Sequence, residues 1–212
     1  MSTPVDRRSR KRLATRELIS DVATRLFYER GFENVTVGEI AEAADVGRMT
    51  VFNHFPRKED MFFDRDAEGR ETIRQALRQR DPSVSPIETL RLLAHRLIAE
   101  QSPFLGFNKG SQGFIHTIEA SETLKARARA IRDEIAQVVT VALADCVARD
   151  ATDPDAVLAA SLLLATWTVA FLQAHRTFRQ TNNEAKAQAT FLALVDQGTL
   201  GLKAALSGTP YV

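Results

Sequence analysis

The stretch TVGEIAEAADVGRMTVFNHFPRK, from Thr36 to Lys58, decides the fold. Thr36 and Glu39 have the spacing of a capping box, so a helix starts there. Ile40 and Ala44 give that helix a buried face, and Ala41 is small where a second helix must cross closely. Asp45 stands at the turn, because Asp tolerates a left-handed backbone better than most side chains. Val46, Val51 and Phe55 carry the same core into a second short helix. Two short helices joined in this way read as a helix-turn-helix. The second helix leaves Arg48, Met49, Thr50, Asn53 and His54 off the buried face. Arg and Asn are side chains that read base edges in the major groove. Thr36, Thr50 and His54 are placed to donate to phosphates, and Lys58 adds charge near the next helix start. A plain helical hairpin within an α-bundle is the competing reading of this spacing.

Outward from this stretch the apolar spacing stays helical. Leu18, Ile19, Val22, Ala23, Leu26 and Phe27 recur at three and four residues, and Gly31 stops that helix, with Phe32 placed to pack back on it. A segment from about 58 to 80 follows, then the breaker cluster Asp81-Pro82-Ser83-Val84-Ser85-Pro86. Ser85, Pro86 and Glu88 predict a capped helix to about Gln101. Phe104 to Gly113 reads as irregular or a short helical turn. A long helix over about 114–150 is expected to bend or break near Ser121. Asp153-Pro154 opens an Ala/Leu-rich helix to about Gln180, and Thr181-Asn182-Asn183-Glu184 caps a last one. No strand pattern of any length appears. The fold class is all-α, with about nine helices in a small N-terminal domain and a larger C-terminal bundle. The expected division is an arm over 1–12, a DNA-binding domain over 13–60 and a ligand-binding and dimerisation domain over 61–212.

Lys and Arg number 28 against 27 Asp and Glu, but the charge is unevenly placed. Arg7, Arg8, Arg10, Lys11, Arg12 and Arg16 stand against Asp6 alone in the first sixteen residues. Such a basic arm reads as disordered when free, with Arg10, Lys11 and Arg12 as candidate contacts to an adjacent groove or backbone of DNA. The single cysteine, Cys146, excludes an internal disulfide and any multi-cysteine zinc site. It sits in a helix without an identifiable base. The four His have no metal-ligand spacing, and no Gly-rich phosphate loop follows a strand. No reaction can be assigned, so an enzyme is not expected, nor is a cofactor. No apolar stretch follows the N-terminal charges, so a secretory leader is not expected and a reducing, cytoplasmic setting is.

The run from Arg16 to Phe62 resembles the tetracycline-repressor (TetR/AcrR) family of bacterial transcriptional regulators. Leu26-Phe27, Gly31-Phe32, Thr36-Val37, Ile40-Ala41, Ala44, Val46, Thr50-Val51-Phe52, His54-Phe55 and Lys58-Glu59 carry the resemblance. It implies a homodimer on a near-palindromic double-stranded DNA operator, usually a repressor released by a small-molecule inducer. By position it implies that Arg48, Met49 and Thr50 face bases, and that Thr36, Phe52, His54 and Lys58 stand at phosphates. Phe52 replaces the usual Tyr, which removes a hydroxyl from the phosphate side; Gly47 replaces the usual capping Ser. The rival outside this family is a helical interaction protein with a degenerate helix-turn-helix and no DNA target. That reading leaves Arg48, Met49, Thr50, His54 and Lys58 without a task.

From Ala156 to Ala174 no residue is charged and fifteen of nineteen are apolar. This length admits a membrane span. Six alanines and the interrupting Ser161, Thr166, Thr168 and Gln173 favour a helix buried on two sides, by its own core and by a second copy. The helices over about 154–180 and 184–206 are therefore assigned to a four-helix dimer interface, with no membrane. Twelve Phe accompany one Trp. Phe63, Phe104, Phe107, Phe114, Trp167 and Phe171, with His116 and His175 as polar partners, are the candidate lining for a largely apolar ligand. Arg65, Arg70, Arg74 and Arg78, mixed with acids, read as an ion-paired face or as a contact to an anionic ligand.

Overall fold

The computed structural model describes residues 7–212. In chain order its helices are α1 (Arg7–Arg30), α2 (Val37–Ala43), α3 (Arg48–His54), α4 (Glu59–Phe62) and α5 (Asp66–Arg78). They continue with α6 (Pro86–Ala99), α7 (Lys109–Glu119), α8 (Glu122–Cys146), α9 (Pro154–Thr181) and α10 (Glu184–Ala205), with a 3-10 turn at Pro103–Leu105 between α6 and α7. No strand occurs among the described residues. The described residues form ten α-helices where about nine were expected, because the segment over 58–80 is two helices. The link between them is pinned to α1: the Ser20 hydroxyl donates to the Asp64 carboxylate at 2.6 Å.

Local chemistry sets most helix ends as the sequence predicts. Thr36 closes a full capping box with Glu39. Gly31 ends α1 at a φ of +81°, open only to residues that tolerate the left-handed region. The break near Ser121 is a cap: its hydroxyl accepts the Leu124 N–H at 3.1 Å and so starts α8. The box at α6 is only half formed. Ser85 accepts the Glu88 N–H, but the Glu88 carboxylate is taken by Arg91 at 2.7 Å and by Lys203 at 2.8 Å. Two cations of other turns outcompete one backbone N–H, since charge-assisted bonds are the stronger.

The chain forms two compact units. Of the described residues the first holds 7–65 and 113–127, the second 66–112 and 128–212. The first unit therefore includes a segment that sequence reading had given to the C-terminal domain. Leu124, fully buried, joins its core of Ile19, Ala23, Phe27, Phe32, Ile40, Val51, Phe55 and Phe62. Phe114 stacks on Phe62 with ring centroids 4.6 Å apart, the Ser121 hydroxyl donates to Glu33, and Arg127 Nε donates to Asp60 at 3.2 Å. The second unit has two clusters. One gathers Leu90, Leu143, Ala160, Leu206 and Tyr211; the other gathers Phe107, Ala174, Phe178, Phe191 and Val195.

The described part of the N-terminal arm departs from expectation. Arg7 to Arg12 are helical, forming the first turns of α1. Arg and Lys are good helix formers, and elongation onto an existing helix avoids the cost of nucleation. Residues 1–6 lie outside the described residues.

Candidate nucleic-acid interface

The interface is built on the core that fixes α2 against α3. Ile40, Ala41, Ala44, Val51 and Phe55 are all buried. Asp45 turns the chain at a φ of +50°, as its residue type predicts, and the Val46 N–H closes the turn on the Ala41 carbonyl at 2.9 Å. With Val51 anchored, the rest of α3 must face out. Met49 is 71% exposed and Phe52 44%; Arg48 and Asn53 are exposed as well, while Thr50 and His54 are half-buried. Met49 and Phe52 thus stand open beside Arg48 and Asn53 on one outward face of α3.

Each candidate side chain has a definite seat. The Arg48 guanidinium lies across Gly38 of α2, so close that a Cβ there would stand 2.5 Å from Nη2. Thr36 is engaged with Glu39: its hydroxyl accepts the Glu39 N–H and donates to the carboxylate at 2.8 Å. The Thr36 backbone N–H, then Arg30 and the Thr36 hydroxyl, hold that carboxyl down at about 2. Gly47 opens α3 with no side-chain cap, as expected from the missing Ser. Lys58 differs from expectation. Its ammonium sits 4.1 Å from the centre of the Phe32 ring, a cation–π contact within the unit. Desolvation there pushes its pKa below the usual lysine range, against Glu33, Glu59 and Glu39.

Arg16 is a site residue that the sequence shows only as one charge of the arm. Its Nη1 donates to the His54 carbonyl at 2.6 Å, and its guanidinium stands 4.0 Å over the Phe55 ring. It thus closes the C-terminal end of the recognition helix, where carbonyls lack partners and a cation is favoured. No local pattern reveals a contact across 38 residues. Arg12, one turn earlier on α1, is also close to His54. Burial, then Arg12 and Arg16, push the His54 imidazole below the usual histidine range. Arg8, Arg12 and Arg16 share one face of α1 at four-residue spacing. That face flanks the exit of α3.

The aromatic candidates for a ligand do not form one site. Phe63 and Phe114 belong to the first unit, packed with Phe62, and His116 is exposed on the same segment of α7. The spacing of α7 puts Phe114 on the inner side of that unit, so it serves as core. In the second unit Phe107 is fully buried, 5.9 Å from Phe171, and Trp167 meets Phe191 edge-on at 6.3 Å. Phe104 is half-buried in the same unit, beside Gly69. His175, a candidate polar partner from the sequence, and Phe191, read there only as an apolar position of the last helix, stand at the centre of this cluster. Phe107 lies 5.1 Å from the His175 ring, whose Nδ1 is 2.8 Å from Gln112 Nε2. No group of three metal-ligating side chains is found among the described residues.

The family model described as bacterial regulatory proteins, tetR family, matches residues 19–64. The HTH-type transcriptional regulator AcrR of Shigella flexneri is 48% identical over 48 residues, which are 23% of this chain and 22% of AcrR. That match thus spans less than a quarter of the relative. A TetR-family transcriptional regulator from Mesorhizobium loti has the same fold, with a TM-score of 0.55 at 20% identity over 92% of this chain and 97% of that one. SmeT in complex with triclosan gives 0.57 at 19% identity over 89% and 91%. SmeT is the repressor of a Stenotrophomonas maltophilia multidrug efflux pump. At these identities the structural likeness speaks for the fold. Residues 19–64 thus match the bacterial regulatory proteins of the tetR family, and the all-α fold shared along the chain is that of solved structures described as TetR-family regulators.

Proposed function

We propose that this chain is a ligand-responsive transcriptional repressor that binds a near-palindromic operator as a homodimer in the cytoplasm. The exposed face of α3 carries the reading: Arg48, Met49, Thr50 and Asn53 project from a helix anchored by Val51 and, at its end, by Phe55 and Arg16. Arg48 and Asn53 supply base-edge donors, and Met49 supplies apolar contact. Thr36, His54 and the first turns of α1, with Arg10, Lys11 and Arg12, supply phosphate contacts. Phe52 adds van der Waals contact alone, and Lys58 must leave Phe32 to reach a phosphate.

The second copy is proposed for the outer face of α9. Val157, Leu158, Val169 and Leu172 are 44–53% exposed on the side opposite the buried alanines, and Leu200 of α10 is 70% exposed. Two such faces bury each other about a two-fold axis. The two α3 helices then enter successive major grooves. For the inducer, the apolar lining of Phe107, Phe171, Trp167 and Phe191 supports an apolar or aromatic molecule, one that carries an acceptor for the Trp167 Nε1–H, which is buried without one. SmeT, of the same fold, has been solved with triclosan. A ligand weakens operator binding only by preferring the unbound form of the dimer.

The test is fluorescence anisotropy with DNA from upstream of the gene and its neighbours, against scrambled DNA, at several salt concentrations. Two subunits per site, sequence-dependent binding and a loss of at least about tenfold in Arg48→Ala are expected. Equal affinity for genomic fragments and scrambled DNA, after selection across the whole genome, would leave the helical interaction protein as the better account.

A further inference from the structure

A groove of about 500 Å³ runs between α5 and α8 in the second unit. That is within the span of small-molecule sites, roughly 300–1,000 Å³. It is separate from the aromatic cluster and shares none of its residues. Its cations come from one end of α5 and the turn that follows. Arg74 is paired with Glu71, its Nη1 donating at 2.5 Å. Arg78 is exposed and makes no ion pair or side-chain hydrogen bond among the described residues. Arg80 is fixed in place, with Nη1 donating to the Val84 carbonyl at 2.7 Å and Nη2 to the Cys146 carbonyl at 3.3 Å. Its Nε–H is buried and has no acceptor. That Nε–H is shut off from the groove, so Arg80 contributes its charge to the groove and not an open donor.

The rest of the lining sets the ligand class. Asp145 is the one acid of the lining and Glu71 neutralises Arg74, so Arg78 and Arg80 leave about one net positive charge, which favours a monoanion over a multiply charged phosphate. The Arg78 fork matches a carboxylate by two parallel bonds. Leu77 and Ala142 are buried in the floor and Val141 is 43% exposed beside it, a hydrocarbon surface that an inorganic ion would leave wet. We propose that the α5–α8 groove is a second ligand site, taking a small organic carboxylate with an apolar body, its charge held by the exposed fork of Arg78 in the field of Arg80.

Cys146 lines this groove and is the only cysteine of the chain, so a thiol reagent reports on the groove alone. Decanoate and 2-naphthoate are the probes, and the rate of Cys146 alkylation in the full chain is the reading. Each should slow the reaction at least fivefold in a saturable way, while decanol and inorganic phosphate should not. Arg78→Glu, at an exposed position that leaves the fold intact by circular dichroism, should raise the half-protecting concentration about tenfold or more, the weight of a charged hydrogen bond. Phe171→Leu, in the aromatic cluster, should leave it unchanged. Failure of both carboxylates to protect overturns the proposal. So does protection that survives Arg78→Glu, protection by decanol or phosphate alone equal to that by decanoate, or loss of protection in Phe171→Leu.

Discussion

Gly38 seats the recognition arginine by having no side chain. A Cβ at that position would press on the far end of Arg48, which can swing away at little cost to the fold. Gly38→Ala is therefore expected to keep or slightly raise the melting temperature, since Ala is the better helix former by about 1 kcal/mol. Operator affinity should fall about fivefold as Arg48 loses its rest position. Unchanged affinity would mean that the seat does not prepare Arg48 for DNA. His54 offers a second test. Its folded pKa lies below the usual value, so the free protein carries it neutral near pH 7, and any stability it contributes is present above the unfolded value near 6.5 and declines as pH falls below it. Phosphates set against Arg12, Arg16 and His54 reverse that field and favour the proton. Operator affinity should then fall as pH rises from 6 to 8, and the slope should vanish in His54→Gln; equal slopes in both would remove His54 from the contact. At this scale the sequence was legible where a residue acts locally, as Thr36, Asp45 and Gly47 do. It was silent on Arg16 and Lys58, whose seats on Phe55 and Phe32 depend on chain segments far away in sequence.

Among elements, α1 is longer than its apolar stripe. The stripe begins near Leu18, but the helix already includes Arg7, so six cations of the N-terminal segment ride on a rigid element. Arg8 and Arg12 lie on the face that Arg16 turns toward α3, which aims their charge along the flank of the recognition helix. Replacing Arg8, Lys11 and Arg12 by Ala should lower the slope of log affinity against log salt, by about 0.9 for each phosphate no longer neutralised. An unchanged slope would make this turn a bystander. A different close approach governs α9 and α10. A Cβ on Gly198 would stand 2.2 Å from Thr166 Cγ2, and Thr, branched at Cβ, has few rotamers to escape into. Gly198→Ala should destabilise by about 1–3 kcal/mol in urea unfolding, despite the better helix propensity of Ala. Thr166→Ala in the same chain should restore most of that stability, because the two changes meet at one point of packing. Additive effects would show that the strain lies elsewhere. Helix existence and most caps were readable from period and punctuation. The membership of residues 113–127 in the first unit was not, because Phe114, Ser121, Leu124 and Arg127 find their partners across tens of residues.

For the molecule as a whole, the long apolar helix is the decisive feature. α9 has the length and hydropathy of a membrane span, with a mean of 1.8, yet only 33% of its most apolar window is buried within one chain. Its inner face is filled by Ala156, Ala159, Ala160, Leu163, Ala170 and Ala174, which let neighbouring helices approach closely. Its outer face repeats Val157, Ser161, Ala165, Val169 and Leu172 at three- and four-residue spacing, so the open side is a stripe along one element. Lipid would cover such a stripe without regard to register, whereas a second copy must match small residues to large ones. Ser161 and Ala165 between Val157 and Val169 supply that alternation, the pattern of helices that interlock. Leu172→Glu with Leu200→Glu puts two charges on this surface and none in the core, so each chain should keep its helical circular dichroism. By sedimentation at micromolar concentration the natural chain should run as a dimer without detergent and the double variant as a monomer. The variant should lose at least about a hundredfold in affinity for the full operator, since two linked recognition helices bind far more tightly than one. Its affinity for a single half-site should match that of the natural chain. A natural chain that is monomeric, or one that stays in solution only with detergent, would refute the interface. A dimeric double variant would move it to another face, and a monomer that still bound the full operator as tightly would uncouple dimerisation from DNA recognition.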